Sequence, residues 1–540
     1  MTLIDDALAR LRSARATGSG PVPEGFEAAG VRFTAIGGRL EQRWNQAVTE
    51  LAQCVQPVGG SSPVLNEGGV YHGSWIESTG TINAEMLSRF VPDVTRATHL
   101  LFAEHQRDDG MIPYKVTDDG PGFSQIQIVT PLARTVWNHY LLNGRDSDYL
   151  ATMYAAMSRF DDWLERYRNT RGTGGVEAFC TFDTGHDLSP RFWFVADRGF
   201  HGDARRYDPA SPILPFVAPD LTANVACQRS YLALIAAELG HDPQPWNDKA
   251  TASLDALFEH CFDETDGNFY DRDVAGQLVR IESDVLLRVL ACEVGDDAFF
   301  RRALEKYLLN TGKFLAHYGF TSIAMDDPRF DNDYTRNSWS GPSNFLSLIR
   351  APHAFEHHGR VAELALTAMP VLSAVAHADT FPQCLDPWTG TPGFTTVYSP
   401  SILWLLDVIE RHSGILPRPD GTVWLSGLTP TRLEHGTAAA AVAYARTIDG
   451  VAVELAGDDE TIVVYRDGVE HVRFARGWRV ETDRDGTPTV IVGLSATATT
   501  GELEYNGHVL TLTVRPNERV TLTGAEVAQR SGPGFVAPRA

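Results

Sequence analysis

The segment 181-TFDTGHDLSPRF-192 holds two aspartates whose type and spacing suit proton-transfer chemistry. Asp183 and Asp187 lie four residues apart, with Gly185 between them and Pro190 soon after. A carboxylate on a turn beside a helix start is normally ionised and caps backbone N–H groups. A general acid needs the opposite state, in which burial raises the pKa and keeps the carboxyl group protonated near neutral pH. The segment therefore predicts either a cap or a proton donor.

The neighbouring residues leave the choice between the two aspartates open. Arg191 can pair with either Asp183 or Asp187, so that one of them would be a structural counter-ion. Four aromatic residues supply apolar surface close by in sequence: Phe182, Phe192, Trp193 and Phe194. These residues alone favour neither aspartate.

Further loops combine aromatic residues with carboxylates or amides, as a sugar site requires. Aromatic rings pack against the CH faces of a sugar, and acids and amides hydrogen bond to its hydroxyl groups. The loop 68-GGVYHGSWIESTG-80 offers Tyr71, Trp75 and Glu77, and its alternative interpretation is a packed aromatic loop. Other candidates are Gln127 in 124-SQIQIVTP-131, Trp339 and Asn344 in 331-DNDYTRNSWSGPSNF-345, and Gln383, Asp386 and Trp388 in 379-DTFPQCLDPWTGTPG-393.

Helical periodicity dominates from about residue 38 to 412 and must position these loops. The predicted helices cover roughly 38–55, 83–106, 128–143, 147–169, 221–239, 245–262, 279–293, 296–312, 343–358, 360–376 and 400–412. With the N-terminal segment they number about twelve, in consecutive pairs joined by loops of unequal length. Long loops inside a compact domain are usually functional. The pattern predicts an (α/α)6 toroid with an active site at one mouth, whereas a solenoid would need a fixed repeat, and none is found.

The pattern changes after residue 430. Stretches such as 461-TIVVYRDG-468 and 507-GHVLTLTVRP-516 alternate apolar and polar residues between turns. They predict a small antiparallel β-sandwich domain over 431–528 and a tail over 529–540. Residues 1–37 are predicted to form an N-terminal helix and linker, and residues 38–430 the helical catalytic domain. The predicted fold class is mainly α.

The composition argues against several kinds of partner and cofactor. A formal net charge of −23 disfavours nucleic acid and anionic membranes. The six cysteines have neither a CxxC pair nor metal-ligand spacing, so we expect a reduced protein without a metal or other cofactor. Residues 1–16 lack an apolar h-region and a cleavage site, so we expect no secretory signal, and no run of 18 apolar residues occurs. These features favour a cytoplasmic protein, and the arginine-rich composition favours a GC-rich bacterial source.

Taken in order, the loops resemble those of the (α/α)6 glycosidases around trehalase, mannosyl-oligosaccharide glucosidase and the bacterial mannosylglycerate and glucosylglycerate hydrolases. The resemblance spans roughly residues 60–430. GGVYHGSWIES is similar to the family's glycine-rich motif ending in Trp-x-Asp-Ser, with Glu77 in place of aspartate. TGHDLSPR is similar to Gly-Trp-Asp-x-Ser-Pro-Arg, with His186 in place of tryptophan. The stretches 263-DETDGNFYDRD-273 and YTRNSWSGPSNF resemble two further motifs, Asp-Glu-x-Gly-x-Tyr-Asp and Tyr-Trp-Arg-Gly-Pro-x-Trp-x-Asn.

The resemblance implies roles for two positions. The aspartate of TGHDLSPR corresponds to the family's general acid, which makes Asp187 the proton donor. The family's general base is a glutamate just before a Tyr-x-Pro-x-Thr-Gly segment, and Gln383 stands at that position. An inverting glycosidase needs a second carboxylate to activate water, and an amide cannot accept the proton.

The amide at position 383 leaves three alternatives. Another carboxylate, Glu77, Asp333 or Asp386, could be the base. The chemistry could need no protein base, as in phosphorolysis or transfer within one sugar, and a phosphate site would draw on His186, Arg191, His357 and His358. The protein could also bind sugars without cleaving them.

The working hypothesis is an exo-acting glycoside hydrolase for a small glycoside, with inversion implied by the resemblance. We expect Asp187 and Glu77 to be catalytic, and substrate contacts from Tyr71, Trp75, Gln127, His186, Arg191, Trp339, Asn344, Gln383 and Trp388. The expected partner is a small-molecule sugar, and a homo-oligomer is left open. The alternative class is a non-hydrolytic carbohydrate enzyme (a phosphorylase, lyase or isomerase) or a sugar-binding protein of the same fold.

Overall fold

The computed structural model describes residues 2–15, 18–430, 439–524 and 526–540. Long helices fill the region between residues 40 and 413, and two antiparallel sheets dominate the C-terminal part. The α-helices are α1 (Leu3–Ser13), α2 (Pro21–Ala28), α3 (Leu40–Cys54), α4 (Ile82–Leu87), α5 (Pro92–Glu104), α6 (Leu132–Leu142), α7 (Ser147–Tyr167), α8 (Pro219–Glu238), α9 (Gln244–Cys261), α10 (Val285–Leu290), α11 (Asp297–Ala303), α12 (Phe345–Leu348), α13 (Ala351–His357), α14 (Val361–His377) and α15 (Ser399–Ser413).

Two predicted helices are each divided in the structure, and a third is shorter. The predicted helix 83–106 is α4 followed by α5, which begins at Pro92, because proline fits the first turn of a helix and not its interior. The predicted helix 343–358 is likewise α12 followed by α13, with Pro352 in the first turn of α13. The predicted helix 279–293 starts only at Val285, because Leu278–Val279 pairs as a short strand.

Consecutive helices pack against each other, and the last helix packs against early helices of the same region. α6 contacts α7, α8 contacts α9, and α13 contacts α14. The last helix, α15, packs against α3 and α4. α15 is buried along its whole length, and its sequence SILWLLDVIE is mostly apolar, with Asp407 and Glu410 as buried charges. Two large apolar clusters form the core of this region.

The two sheets are antiparallel throughout. Their strands are β1 (Arg32–Ile36), β2 (Ile415–Pro417), β3 (Val423–Ser426), β4 (Ala441–Ile448), β5 (Val451–Gly457), β6 (Thr461–Arg466), β7 (Val469–Ala475), β8 (Trp478–Thr482), β9 (Pro488–Gly493), β10 (Thr499–Tyr505), β11 (His508–Val514), β12 (Arg519–Thr523) and β13 (Glu526–Ser531). One sheet has the order β1-β4-β5-β6-β7-β10-β11 and the other the order β2-β3-β8-β9-β12-β13. Side chains from both sheets belong to one apolar cluster.

The strand pairing differs from the predicted limits of the β-region. β1, in the segment predicted as helix and linker, pairs with β4 from Arg32↔Ala445 to Ile36↔Ala441. β2 and β3 lie before residue 430 and pair with each other, and β3 also pairs with the C-terminal strand β8. At the other end, Val536 N–H donates to Glu363 Oε1 at 2.8 Å, so the predicted tail packs on the helical region. The predicted start of the β-domain at residue 431 lies outside the described residues.

Short strands within the loops pair with each other. Ser74–Trp75 pairs with Lys115–Thr117, which pairs with Gly120–Gly122. Ser343–Asn344 pairs with Cys384–Leu385, and this strand pairs with Pro392–Gly393. These pairings join the loop of Trp75 to residues 115–122 and the 331–345 loop to the 379–393 loop.

Two further structural findings concern membranes and cysteines. Within the described part of the chain, no helix is both long and apolar enough to cross a bilayer. All six cysteines are buried and unpaired.

Candidate active site

A cavity of about 190 Å³ lies among these loops and collects several of the predicted residues. Aromatic rings and polar side chains alternate on its wall. The lining residues are Glu67, Tyr71, Trp75, Glu77, Ser78, Tyr114, Gln125, Gln127, Phe182, Gly185, Asp187, Arg198, Asn337, Leu346, Gln383 and Tyr398. Six residues of the predicted site are therefore brought together: Tyr71, Trp75, Glu77, Gln127, Asp187 and Gln383.

Asp187 is a carboxyl group without an ion-pair partner among the described residues. Its backbone is held from the 331–345 loop, because Trp339 N–H donates to Asp187 O at 3.0 Å. The side-chain amide of Asn337 donates to Asp187 Oδ2. Burial raises the pKa of the Asp187 carboxyl well above its usual value, the negative charges of Glu77 and Asp197 add to the rise, and Arg288 opposes it. This environment favours the protonated acid.

Asp183 has the opposite environment. Arg168 donates to both of its oxygens, at 2.5 and 2.9 Å. Three backbone N–H groups also donate to the Asp183 carboxylate, among them that of Phe179 at 2.7 Å. Asp183 is therefore a structural residue, paired with Arg168, that fixes the loop carrying Asp187.

A chain of hydrogen bonds leads from Gln383 to Asp187. The Tyr71 hydroxyl donates to Gln383 Oε1 at 2.9 Å, and Gln383 Nε2 donates to Asn337 Oδ1 at 2.9 Å. The same Asn337 amide then donates to Asp187. An amide at position 383 can both accept from Tyr71 and donate to Asn337, which a carboxylate could not do.

Glu77 faces the cavity beside two buried guanidinium groups. Gln127 Nε2 donates to Glu77 Oε2 at 2.6 Å. Glu77 Oε1 lies 3.6 Å from Arg350 and 4.0 Å from Arg288 and has no hydrogen-bond partner among the described residues. Gly185 fits against this carboxylate because a Cβ atom there would lie 2.3 Å from Glu77 Oε2.

Glu67 is a third carboxyl group on the wall, and the sequence analysis missed it. It is buried, and it accepts hydrogen bonds from Ser78 and Tyr398. Burial raises the pKa of Glu67 to about 7, and these hydrogen bonds oppose the rise. Its position directly before Gly68 and Gly69 was the available signal, because paired glycines mark a tight backbone approach.

His186 and Arg191 lie behind the cavity wall and do not line it, contrary to their predicted substrate contacts. Arg191 donates hydrogen bonds to both carboxylate oxygens of Asp220 and of Asp271. It therefore pairs with neither of the two aspartates of its own loop. It also donates to His186 Nδ1 at 2.7 Å. Burial lowers the pKa of His186 to about 3, and the nearby Arg288 guanidinium contributes. Both residues position the loop from within the protein.

Three other predicted contact residues also lie off the cavity. Trp339 is buried, with its ring 4.8 Å from that of His186. Asn344 caps α12, because its Oδ1 accepts from Leu346 N–H at 2.9 Å. Trp388 is 48% exposed and packs against Phe330. The apolar surface expected from Trp193 and Phe194 is likewise exposed to solvent, and of those neighbours Phe182 lines the cavity.

Comparison with known proteins identifies the family. The model of the mannosylglycerate hydrolase MGH1-like glycoside hydrolase domain matches residues 83–401, more than half of the chain. The chain belongs to this family. It is a glycoside hydrolase, and the resemblance stated from its loop motifs is confirmed.

Solved structures share the fold of this glycosidase at low sequence identity. A mannosylglycerate hydrolase from Thermus thermophilus, in complex with Tris and D-glycerate, has a TM-score of 0.55 at 18% identity and covers 68% of this chain and 99% of its own. Neutral trehalase from Saccharomyces cerevisiae has a TM-score of 0.50 at 15% identity, with 64% and 73% covered. A sialidase has a TM-score of 0.61 at 14% identity, with 87% and 44% covered. No curated protein matches the chain.

The alternative bases named from the sequence differ in their positions in this glycosidase. Asp333 lies off the cavity and pairs with Arg336 at 2.5 Å. Asp386 caps the turn at its own loop, accepting from the backbone N–H groups of Trp388 and Thr389 at 2.9 and 2.8 Å. Only Glu77 of the three lines the cavity. The carboxyl groups on the wall are therefore Asp187, Glu77 and Glu67.

Proposed function

We propose that this glycoside hydrolase removes one sugar unit from a small glycoside, with Asp187 protonating the leaving oxygen and inversion at the anomeric carbon. The observation that carries the proposal is the state of Asp187: a carboxyl group on an aromatic-lined cavity, bonded to an amide and unpaired with any described cation. A buried carboxyl group of this kind keeps its proton until the glycosidic C–O bond breaks and the leaving oxygen becomes basic enough to take it.

The surrounding fold supports an (α/α)6 toroid. Successive helices pack as neighbours, and α15 closes against α3. The cavity lies among loops that join these helices, as the mouth of a toroid would require. Its volume of about 190 Å³ is below the roughly 300–1,000 Å³ of drug-sized ligand sites. This volume favours a small substrate that binds through its terminal sugar unit.

Polar atoms on the wall suit the hydroxyl groups of a sugar. Glu77 Oε1 and Trp75 Nε1 have no hydrogen-bond partner among the described residues, and they offer an acceptor and a donor respectively. The Tyr71 and Trp75 rings, 5.8 Å apart, supply apolar surface for the CH groups of the ring. Glu77, between Gln127 and two arginines, is suited to hold a hydroxyl group in place.

The leaving group is proposed to be neutral or weakly anionic. Arg198 is the cation among the described residues of the cavity wall, and its side chain reaches the rim from an exposed loop. A guanidinium there would bind a carboxylate on the leaving group. The Thermus enzyme was crystallised with D-glycerate, a small carboxylate, which is consistent with such a substrate.

The phosphorylase alternative has weaker support. His186, Arg191, His357 and His358, which the sequence offered for phosphate, all lie off the cavity wall. His186 and Arg191 also pair with buried aspartates.

Product analysis on a panel of glycosides tests the proposal. Small α- and β-glycosides, including glycerate glycosides, are incubated with and without inorganic phosphate and followed by proton NMR. We expect turnover that is independent of phosphate and a first-formed free sugar of inverted anomeric configuration. Strict phosphate dependence would contradict hydrolysis, and a first product of retained configuration would contradict inversion.

A further inference from the structure

Glu67 is held rigidly at the wall of the cavity by its backbone. Its N–H donates to Gly73 O at 2.9 Å, and its carbonyl accepts from Ser399 N–H at 2.9 Å. The next residue, Gly68, has a φ of +85°, and a Cβ atom there would lie 2.3 Å from Val397 O. Glycine is therefore required for the loop to approach the start of α15 this closely.

The side chain of Glu67 is hydrogen bonded but not neutralised. Ser78 donates to Oε2, and Tyr398 also hydrogen bonds to the carboxyl group. The ionisable groups that face it are Tyr71, Tyr398, Glu77, Cys54 and, at longer range, Arg350. No described basic side chain lies within ion-pair distance of Glu67.

The two carboxyl groups available as partners of Asp187 differ in their neighbours. Glu77 accepts a hydrogen bond from Gln127 and lies near two buried guanidinium groups, so its carboxylate is engaged by polar and cationic neighbours. Glu67 is buried among aromatic rings and hydroxyl groups, where the protonated and ionised forms lie closer in free energy. A group of that kind suits proton transfer near neutral pH.

We propose that Glu67 is the carboxylate that activates the attacking water, in place of the glutamate for which Gln383 stands. This inference depends on the proposed hydrolase function. Water attacks the anomeric carbon and forms the new C–O bond while one of its protons passes to Glu67. The glycosidic C–O bond breaks, and the leaving oxygen takes the proton of Asp187. Exchange with solvent then returns the proton to Asp187 and removes it from Glu67.

The acid limb of the pH profile supplies a test on the unmodified protein. Burial raises the pKa of Glu67 to about 7, so the ionised base becomes available only as the pH rises through that value. We expect kcat/KM to rise around pH 7. An acid limb at about pH 4–5, as for an ordinary carboxylate, would overturn the assignment.

Variants with a matched comparison test the role directly. Glu67→Gln keeps the size of the side chain and an acceptor for Ser78, and we expect kcat to fall roughly 10²–10⁴-fold with loss of the acid limb. Azide needs no deprotonation, so it should restore turnover in Glu67→Ala and give a glycosyl azide of inverted configuration. The matched Glu77→Ala variant should lose sugar binding and gain nothing from azide.

The outcomes separate this inference from the proposed function. If the wild-type protein turns over no glycoside, the proposed function fails. If the wild type is active and folded Glu67→Gln keeps its rate and pH profile, only the assignment of Glu67 fails. Azide rescue of Glu77→Ala in place of Glu67→Ala would transfer the role to Glu77. Should the Glu67 variants not fold, the wild-type acid limb decides.

Discussion

Two aspartates four residues apart have different environments in this protein because their partners differ. Asp183 is bonded to Arg168 and three backbone N–H groups, all of which stabilise its negative charge. Asp187 has one amide donor and a negative neighbour, Glu77. Residue type and spacing do not distinguish the two, since the distinction comes from an arginine fifteen residues before Asp183 in the chain.

A buried carboxyl group kept protonated in the native state should lower stability at high pH. Burial raises the pKa of Glu67 to about 7 from an ordinary value of 4.5, so between these pH values the folded protein holds a proton that the unfolded chain has lost. The free energy of unfolding should therefore fall as the pH rises across this range, by up to about 3 kcal/mol. Asp187 should act in the same direction.

Chemical denaturation of Glu67→Gln between about pH 4.5 and 8 measures this effect. The variant cannot ionise, so we expect its advantage in unfolding free energy over the wild type to grow as the pH rises. The values at the acidic end serve as the control for any lost packing. A difference that does not change with pH would contradict the raised pKa.

At the scale of elements, the active site is assembled by contacts between loops. The 331–345 loop holds Asp187 through Trp339 N–H and the Asn337 amide. The loop of Glu77 fits against the Asp187 loop at Gly185, where φ is +66° and a Cβ atom would overlap the Glu77 carboxylate. The site therefore depends on a close approach of two loops.

Gly185→Ala and Gly202→Ala together test this loop contact. Both glycines have positive φ, +66° and +72°, so both alanines should cost roughly 1–2 kcal/mol of backbone strain. A Cβ atom at Gly202 meets nothing within 4 Å, whereas at Gly185 it meets Glu77. We expect Gly202→Ala to keep kcat/KM and Gly185→Ala to lose most of it. Equal losses of activity in the two variants would contradict the contact.

At the scale of the molecule, buried ion pairs join the helical region to the sheets. Glu410 of α15 is bonded to Arg446 of β4 and to the Tyr444 hydroxyl, and it lies 3.2 Å from Arg89. Asp407, one turn earlier, pairs with Arg89 and Arg411. Because these groups are buried, each charge depends on its partner, and the two regions should unfold together.

Arg446→Ala should therefore be strongly destabilising. Removing one partner of a buried ion pair costs about 3–5 kcal/mol, because the remaining charge is left without full compensation. Arg473→Ala is the matched control, since Arg473 lies in the same sheet and pairs with Glu470 at the surface, where such pairs contribute at most about 1 kcal/mol. Denaturation curves of both variants give the comparison. A loss in Arg446→Ala no larger than in Arg473→Ala would contradict the account.

The helices and the C-terminal strands were predictable because their apolar periodicity is local. The new helix starts at Pro92 and Pro352 were missed because a broad apolar stripe continues through both positions. β1 was missed because a five-residue edge strand takes its partner, β4, from more than 400 residues away. Within the candidate site, the aromatic and acidic residues of the quoted motifs were found, whereas Glu67, directly before Gly68, and Asn337 were not, since their importance lies in contacts between distant loops.

His186 and Arg191 show the limit of motif reasoning. They stand in the TGHDLSPR segment, and the sequence placed them in contact with substrate. In the structure Arg191 forms ion pairs with Asp220 of α8 and with Asp271 of a short strand. It also donates a hydrogen bond to His186, behind the wall of the cavity. A motif therefore marks the place of a site without distinguishing contact residues from the residues that support them.

The rate of Asp187→Asn on two classes of leaving group tests the central claim most directly. A general acid matters most for a poor leaving group, because a good one departs without a proton. We predict that Asp187→Asn lowers kcat/KM at least about 10³-fold on an alkyl glycoside and less than about tenfold on the matching dinitrophenyl glycoside. Equal losses on both substrates, or an alkyl glycoside still turned over at the wild-type rate, would contradict the assignment of Asp187 as the proton donor.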